Sequence, residues 1–198
     1  WALAALALRS FGKTGWPCRI TGAPEGGVLE DLPVREIDHR GGERVAVPTE
    51  SFIATETQRA LARFGLTALA SQPNSDATYV LTAPTAYVPP PKRAHEGTTT
   101  EPALRLPQAQ LGDQLFVARL IHLVRAAGAE LGARASGDEL GRALEARVWD
   151  ELGDAPPAGP ELRISVRRDG EDLVADVTVR PRRWLGLEME EITLGVPL

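Results

Sequence analysis

Three histidines, one cysteine and several adjacent carboxylates are the side chains of this 198-residue chain best suited to move a proton, hold a metal or act as a nucleophile. His39, His95 and His122 have no Cys, Asp or Glu at zinc-ligand spacing, so no metal site is expected. His122 follows Arg119 by three residues and shares a helix face with it, which suits either a proton switch or a satisfied, partly buried histidine; the second is expected. Cys18, between Pro17 and Ile20, reads as a buried structural thiol. Asp150/Glu151 and Glu190/Glu191 are sequence neighbours whose side chains diverge, so they make poor acid/base pairs. Ser10, Ser51, Ser71, Ser75, Ser136 and Ser165 lack a nucleophile-elbow context. The glycines at 22, 26 and 27 lack the Gly-Lys-Ser/Thr ending and the following helix start of a phosphate loop. No catalytic residue, cofactor or metal is expected, and no enzyme.

The elements that would position these residues are ordinary globular ones. The chain is 43% apolar and 25% charged, long enough for one substantial core or two small lobes. Aromatics at 5% leave the core to Leu, Val and Ala. A net charge of −5 argues against nucleic acid as the main partner, because phosphate binding needs a basic surface. A single cysteine excludes an internal disulfide framework and fits a reducing compartment. The apolar run from Ala2 to Leu8 is too short to span a membrane and has no basic stretch before it. It is expected to be a buried helix of a chain that begins inside a larger protein, and no membrane insertion is expected.

Pattern and punctuation predict an α+β (mixed α/β) chain. A helix over 2–11 is broken by Gly12 and Gly15. Strands are expected near 17–21, 34–38 and 44–47, the last two joined by a glycine turn at 39–43. A helix over 54–64 stops at Gly65. Strands near 66–70 and 77–83 flank the turn cluster 72–76, and 84–108 is a Pro-rich surface loop containing Pro89, Pro90 and Pro91. A helix over 109–132 is apolar on more than one face and is expected to be the most buried. A second, over 137–152, is capped by Ser136 with Glu139 and carries the stripe Leu140, Leu144, Val148 and Leu152; Arg142, Glu145, Asp150 and Glu151 form its other face.

Residues 154–160 read as a Pro/Gly linker to an all-β tail. There Leu162, Ile164 and Val166 alternate with Arg163, Ser165 and Arg167, and Asp169-Gly170 signals a tight hairpin turn. Leu173, Ala175, Val177 and Val179 line one face of the next strand. A third strand follows Pro181, with a bulge expected at Glu190-Glu191. Such a tail either closes its own core or exchanges strands with neighbours.

The stretch Trp16–Gly22 followed by Gly26–Val34 resembles a signature of the type VI secretion contractile sheath large subunit, the TssC/VipB family. Further segments match in the same order. Pro48-Thr49-Glu50 with Ile53 is similar to its PTE-x-x-I element. Ala60–Leu69, then Asp76–Val80 with Pro89-Pro90, resemble a helix end and a strand with a proline exit. Phe116–Leu123 resembles a helix of the family and retains Arg119 and His122. Val179-Arg180-Pro181, Leu185, Leu187 and Val196-Pro197-Leu198 resemble the family's ending. The match is to the C-terminal portion of that family, in a divergent member: the charged helix start is replaced by Thr55–Arg59, and Ala118 and Leu123 stand beside the Arg and His.

The resemblance implies a tail-sheath-like core, with helices packed on a mixed sheet, over 1–153. It implies a linker at 154–160 and a C-terminal antiparallel β segment, 161–198, that joins an inter-subunit sheet. The implied partners are a small sheath subunit, neighbouring large subunits, an inner tube protein and a baseplate, in the bacterial cytoplasm. Subunit-interface candidates are Arg180, Arg182, Arg183, Trp184, Leu185, Leu187, Ile192 and Leu194. Tube-facing candidates are Glu145, Asp150 and Glu151. The alternative is a non-contractile binding or adaptor module built on a sheath-like fold.

Overall fold

The computed structural model describes residues 1–22, 26–38, 41–86, 110–131, 137–153, 160–170, 172–182, 184–187 and 189–198. The expectations for His39, His95, the three prolines 89–91, the Ser136 cap and Arg183 lie outside these residues, as does most of the 84–108 loop and the 154–160 linker. Two compact units divide after Gln114: Trp1–Gln114 and Leu115–Leu198.

In the first unit, α1 (Ala2–Thr14) runs through Gly12 and ends at Gly15, whose φ of 74° is left-handed. The Gly15 N–H donates to Phe11 O at 2.8 Å, satisfying a carbonyl the helix end would otherwise leave open. Gly12 therefore does not break the helix; one glycine inside an otherwise good helix lowers stability without stopping it. α1 buries Leu6 and Ser10 while Leu8 and Phe11 stay exposed, so it is buried along one side only.

The strand expected at 17–21 is absent. Trp16, Cys18 and Ile20 are buried in alternation, as in a strand, but α1 serves their backbone. Ser10 Oγ donates to Trp16 O and accepts from Arg19 N at 3.0 Å, and Ile20 N donates to Cys18 O within the segment. The main chain is satisfied locally, so no ladder is needed.

β1 (Val28–Leu29), β4 (Leu69–Ser71) and β5 (Thr78–Val80) form an antiparallel sheet in the order β1-β5-β4. β2 (Arg35–Asp38) and β3 (Arg44–Val47) pair antiparallel with Arg35 opposite Val47 and Asp38 opposite Arg44, the expected hairpin. α2 (Thr55–Arg63) stops at Gly65, φ 81°, as its sequence predicts. Gly27 has no room for a side chain: a Cβ there would lie 2.7 Å from both Ile20 O and Thr21 Cα. The glycine pair read at 26–27 therefore serves close backbone packing.

α3 (Leu111–Leu131) and α4 (Gly137–Leu152) follow. α3 buries Phe116, Leu120, Val124 and Ala127, while Leu111, Leu115 and Leu123 are only half-buried. Its burial is a stripe, which corrects the expectation of burial on several faces. α4 buries the stripe the sequence marked, Leu140, Leu144, Val148 and Leu152.

The second unit carries one antiparallel sheet in the order β6-β7-β8, from β6 (Glu161–Asp169), β7 (Asp172–Arg180) and β8 (Ile192–Pro197). Leu162 faces Val179, Ile164 faces Val177 and Val166 faces Ala175; Ile192, Leu194 and Val196 continue the same rows. This alternation gives the sheet one apolar and one polar face. Among the described residues between β7 and β8 there is no bulge at Glu190-Glu191. A single 3-10 turn, Trp184–Gly186, makes the corner, with Arg182 at φ 53° and Leu185 at φ 51°, and β8 pairs regularly from Ile192 onward. The phase shift read at 189–192 marks strand entry.

Candidate functional site

The two edges of the C-terminal sheet are chemically unlike. Leu198 N donates to Leu173 O at 2.9 Å, which fixes the hydrogen-bonding parity of the β7–β8 pair. Ile192, Leu194 and Val196 then turn their N–H groups toward β7, while Thr193 and Gly195 turn theirs outward. Pro197 also falls at an outward position but has no N–H to offer. Among the described residues no strand pairs with that side of β8.

The far edge, on β6, is covered. α4 packs on it. Glu145 Oε2 accepts the outward N–H of Ile164 at 3.1 Å. Gly141 eases the helix's approach: a Cβ there would lie 3.1 Å from Ile164 O, tighter than usual, whereas one at Gly137 would make ordinary contact with Val166 O at 3.4 Å.

The polar face of the sheet is laced with ion pairs. Arg167 bonds Asp176 at 2.8 Å and Asp169 at 3.0 Å, and these two hydrogen bonds raise its pKa above the ordinary arginine value. Arg180 bonds Glu191 and lies 3.6 Å from Glu161; Arg182 also bonds Glu161. Thr178 and Thr193 share a hydroxyl hydrogen bond of 3.1 Å across β7 and β8.

These bonds place the residues marked in the sequence. Arg180 and Arg182 tie β6, β7 and the approach to β8 together at the exposed corner. Trp184 is buried, edge-on to Phe116 with ring centroids 6.1 Å apart. Leu187 is buried, Leu185 is half-buried, and Ile192 and Leu194 lie half-buried on the apolar face. Of the acidic trio on α4, Glu145 bonds the β6 edge, Glu151 pairs with Arg147 at 2.9 Å and Arg119 at 3.9 Å, and Asp150 is exposed. The sequence reading missed Glu145 as an edge cover, yet Gly141 on the same helix signals a close approach there.

His122 is exposed, which corrects the expectation that it is partly buried: it points away from the α3 stripe of Phe116, Leu120 and Val124. A small cavity between α3 and α4 is lined by Leu123, Ala126, Ala127, Glu130, Arg147, Val148 and Glu151. Neither Arg119 nor His122 lines it. Cys18 is buried, and loss of solvent around the thiolate pushes its pKa up to about 12.

Residues 1–87 match the family model for VipB, described as the EvpB/VC_A0108 tail sheath N-terminal domain. Residues 1–87 are thus similar to the type VI sheath large subunit. The match covers α1 through β5 and stops short of the C-terminal sheet. The family supplies a structural sheath component. No curated protein matches the chain. Among the described residues no helix is long and apolar enough to cross a membrane.

Proposed function

We propose that this chain is a structural subunit of a contractile injection sheath that pairs with a small sheath subunit and polymerises in the bacterial cytoplasm around an inner tube anchored on a baseplate. The observation that carries the reading is the sheath-family match at residues 1–87. The C-terminal sheet supplies a suitable joint. Its β6 edge is closed by α4 while its β8 edge keeps outward backbone groups, so association is directed to one side. Strand exchange, in which residues 192–198 of one copy pair with β7 of the next, links copies through main-chain hydrogen bonds. A contact of this head-to-tail kind does not close on itself and builds a helix. Links of this kind survive rotation of the subunits, so the lattice shortens without coming apart.

The corner residues Arg180 and Arg182 with Trp184, Leu185 and Leu187 set the angle at which the exchanging strand leaves, and Ile192 and Leu194 enter the neighbour's apolar face; Arg183, also a candidate, lies outside the described residues. Among the tube-facing candidates Asp150 presents the exposed carboxylate; Glu145 and Glu151 support the helix that displays it.

Co-expression of the full-length protein with a small sheath subunit, followed by negative-stain microscopy, tests the reading. Hollow cogwheel-ended tubes that disappear when residues 161–198 are removed are expected. A soluble monomer that captures no sheath subunit overturns it in favour of a standalone module.

A further inference from the structure

A cleft beside the C-terminal end of α1 gathers cations. Arg9, Lys13 and Arg19 line it, together with Ser10, Thr14 and Val28. Arg9 and Lys13 stand one turn apart on the exposed side of α1, where like charges repel. Lys13 in the last turn complements the negative end of the helix dipole, which accounts for that one cation. Arg19 comes from outside the helix and has no such role. Its side chain is half-buried and Gly26 lies against it: a Cβ at Gly26 would fall 3.0 Å from Arg19 O and 2.5 Å from its Cγ. Arg9 pairs with Glu30 at 3.3 Å, and Lys13 pairs with no carboxylate among the described residues.

The lining selects the kind of anion. A compact phosphate is held best by backbone N–H groups at a helix N-terminus. Here α1 offers its other end, and both hydroxyls are spent. Ser10 Oγ donates to Trp16 O and accepts from Arg19 N at 3.0 Å; Thr14 Oγ1 donates to Ser10 O at 2.8 Å and accepts from Trp16 N at 3.1 Å. What remains is long cationic side chains spread along a groove, which suits carboxylates spread along a peptide. That peptide cannot dock as an added strand. Val80 N donates to Gly27 O, so Gly27 faces β5 and Val28 turns its carbonyl outward. Arg9 Nη1 already donates to that outward Val28 O at 2.7 Å.

We infer that this cleft docks an acidic segment of a partner protein, whose carboxylates pair with Lys13, Arg19 and the remaining donors of Arg9. Charge complementarity commits the occupant: the chain as a whole carries a net charge of −5, yet three cations converge here. An incoming carboxylate also relieves the repulsion between Arg9 and Lys13. The site lies within the Trp1–Gln114 unit and does not depend on polymerisation.

Titration of the full chain with hexaglutamate, followed by amide NMR shifts, tests the site. Saturable shifts are expected at Lys13, Thr14, Arg19 and Gly26, with binding weakened on the order of tenfold as salt rises from about 0.1 M to about 1 M. Lys13→Glu should weaken binding on the order of tenfold, and Arg19→Gln less. Arg59→Glu changes the net charge as much from the exposed side of α2 and should leave binding unchanged. Missing or unsaturable shifts at the four amides overturn the site, as does equal loss in Arg59→Glu and Lys13→Glu. Tighter occupation of the same amides by inorganic phosphate overturns the acidic segment as its ligand.

Discussion

The β6 and β8 edges of the same three-stranded sheet have opposite fates. On β6 a helix lies close enough for a carboxylate to take a ladder N–H, and Gly141 eases that approach. On β8 the outward groups of Thr193 and Gly195 meet no strand among the described residues, and Pro197 alone removes a donor. An unpaired edge is a template for another chain. Under the proposed reading, closing one edge and leaving the other open would turn a generic aggregation hazard into a directed joint.

The comparison can be broken most severely at α4. Leu144 is fully buried in the stripe of the covering helix. Leu144→Ala should destabilise the chain by about 2–5 kcal/mol in denaturant titrations, through lost burial and a cavity. Tube assembly should fall with it, because an uncovered β6 edge offers a second, wrong pairing site. If the variant unfolds no more easily than the parent, α4 is not what holds that edge.

A narrower change leaves the helix in place. Glu145→Ala removes the acceptor of the Ile164 N–H and should lower stability by about 1–3 kcal/mol. Hydrogen exchange should quicken at Ile164 while the amides of Ile192, Leu194 and Val196 keep their protection. Equal loss at both edges would show that the sheet opens as one unit and that the edges are not independent.

Smaller still is Thr193→Val, which deletes the hydroxyl bond to Thr178 while keeping the strand shape. About 0.2–1 kcal/mol of stability should be lost. Cys18, in the other unit, serves as a control. Burial pushes its folded pKa up to about 12, above the ordinary thiol value of 9.0. The folded state therefore holds the thiol proton more tightly, and its stabilising effect is complete below the unfolded pKa and lost as pH climbs from about 9 toward 12. Alkaline titration should weaken the Trp1–Gln114 unit, and Cys18→Ala should blunt that pH dependence. A pH dependence unchanged in Cys18→Ala would show that the buried thiol is not its source.

Legibility followed how local the determining physics was. The Leu140–Leu152 stripe and the β6–β7 hairpin rest on spacing and a Gly turn, and the structure matches both. The segment 16–20 misled because alternating burial imitates a strand when α1 side chains satisfy the backbone. The corner was opaque because Arg182 and Leu185 adopt positive φ, which neither residue type announces. The tail 161–198 was read as a β segment, but the close approach at Gly141 gains meaning only once the strand it faces is known.

The most direct test of the joint is chemical. Thr178 and Thr193 form a non-hydrogen-bonded cross-strand pair, the geometry in which facing side chains come closest. Copies carrying Thr178→Cys should be mixed with copies carrying Thr193→Cys, assembled with the small sheath subunit and mildly oxidised. Buried Cys18 stays out of the exchange because its thiol remains protonated. The account predicts disulfide-linked dimers in tubes and none in the unassembled mixture. If tubes form and the two cysteines never join across copies, while a single chain bearing both closes its own bond, the C-terminal sheet is an internal closure and the joint lies elsewhere.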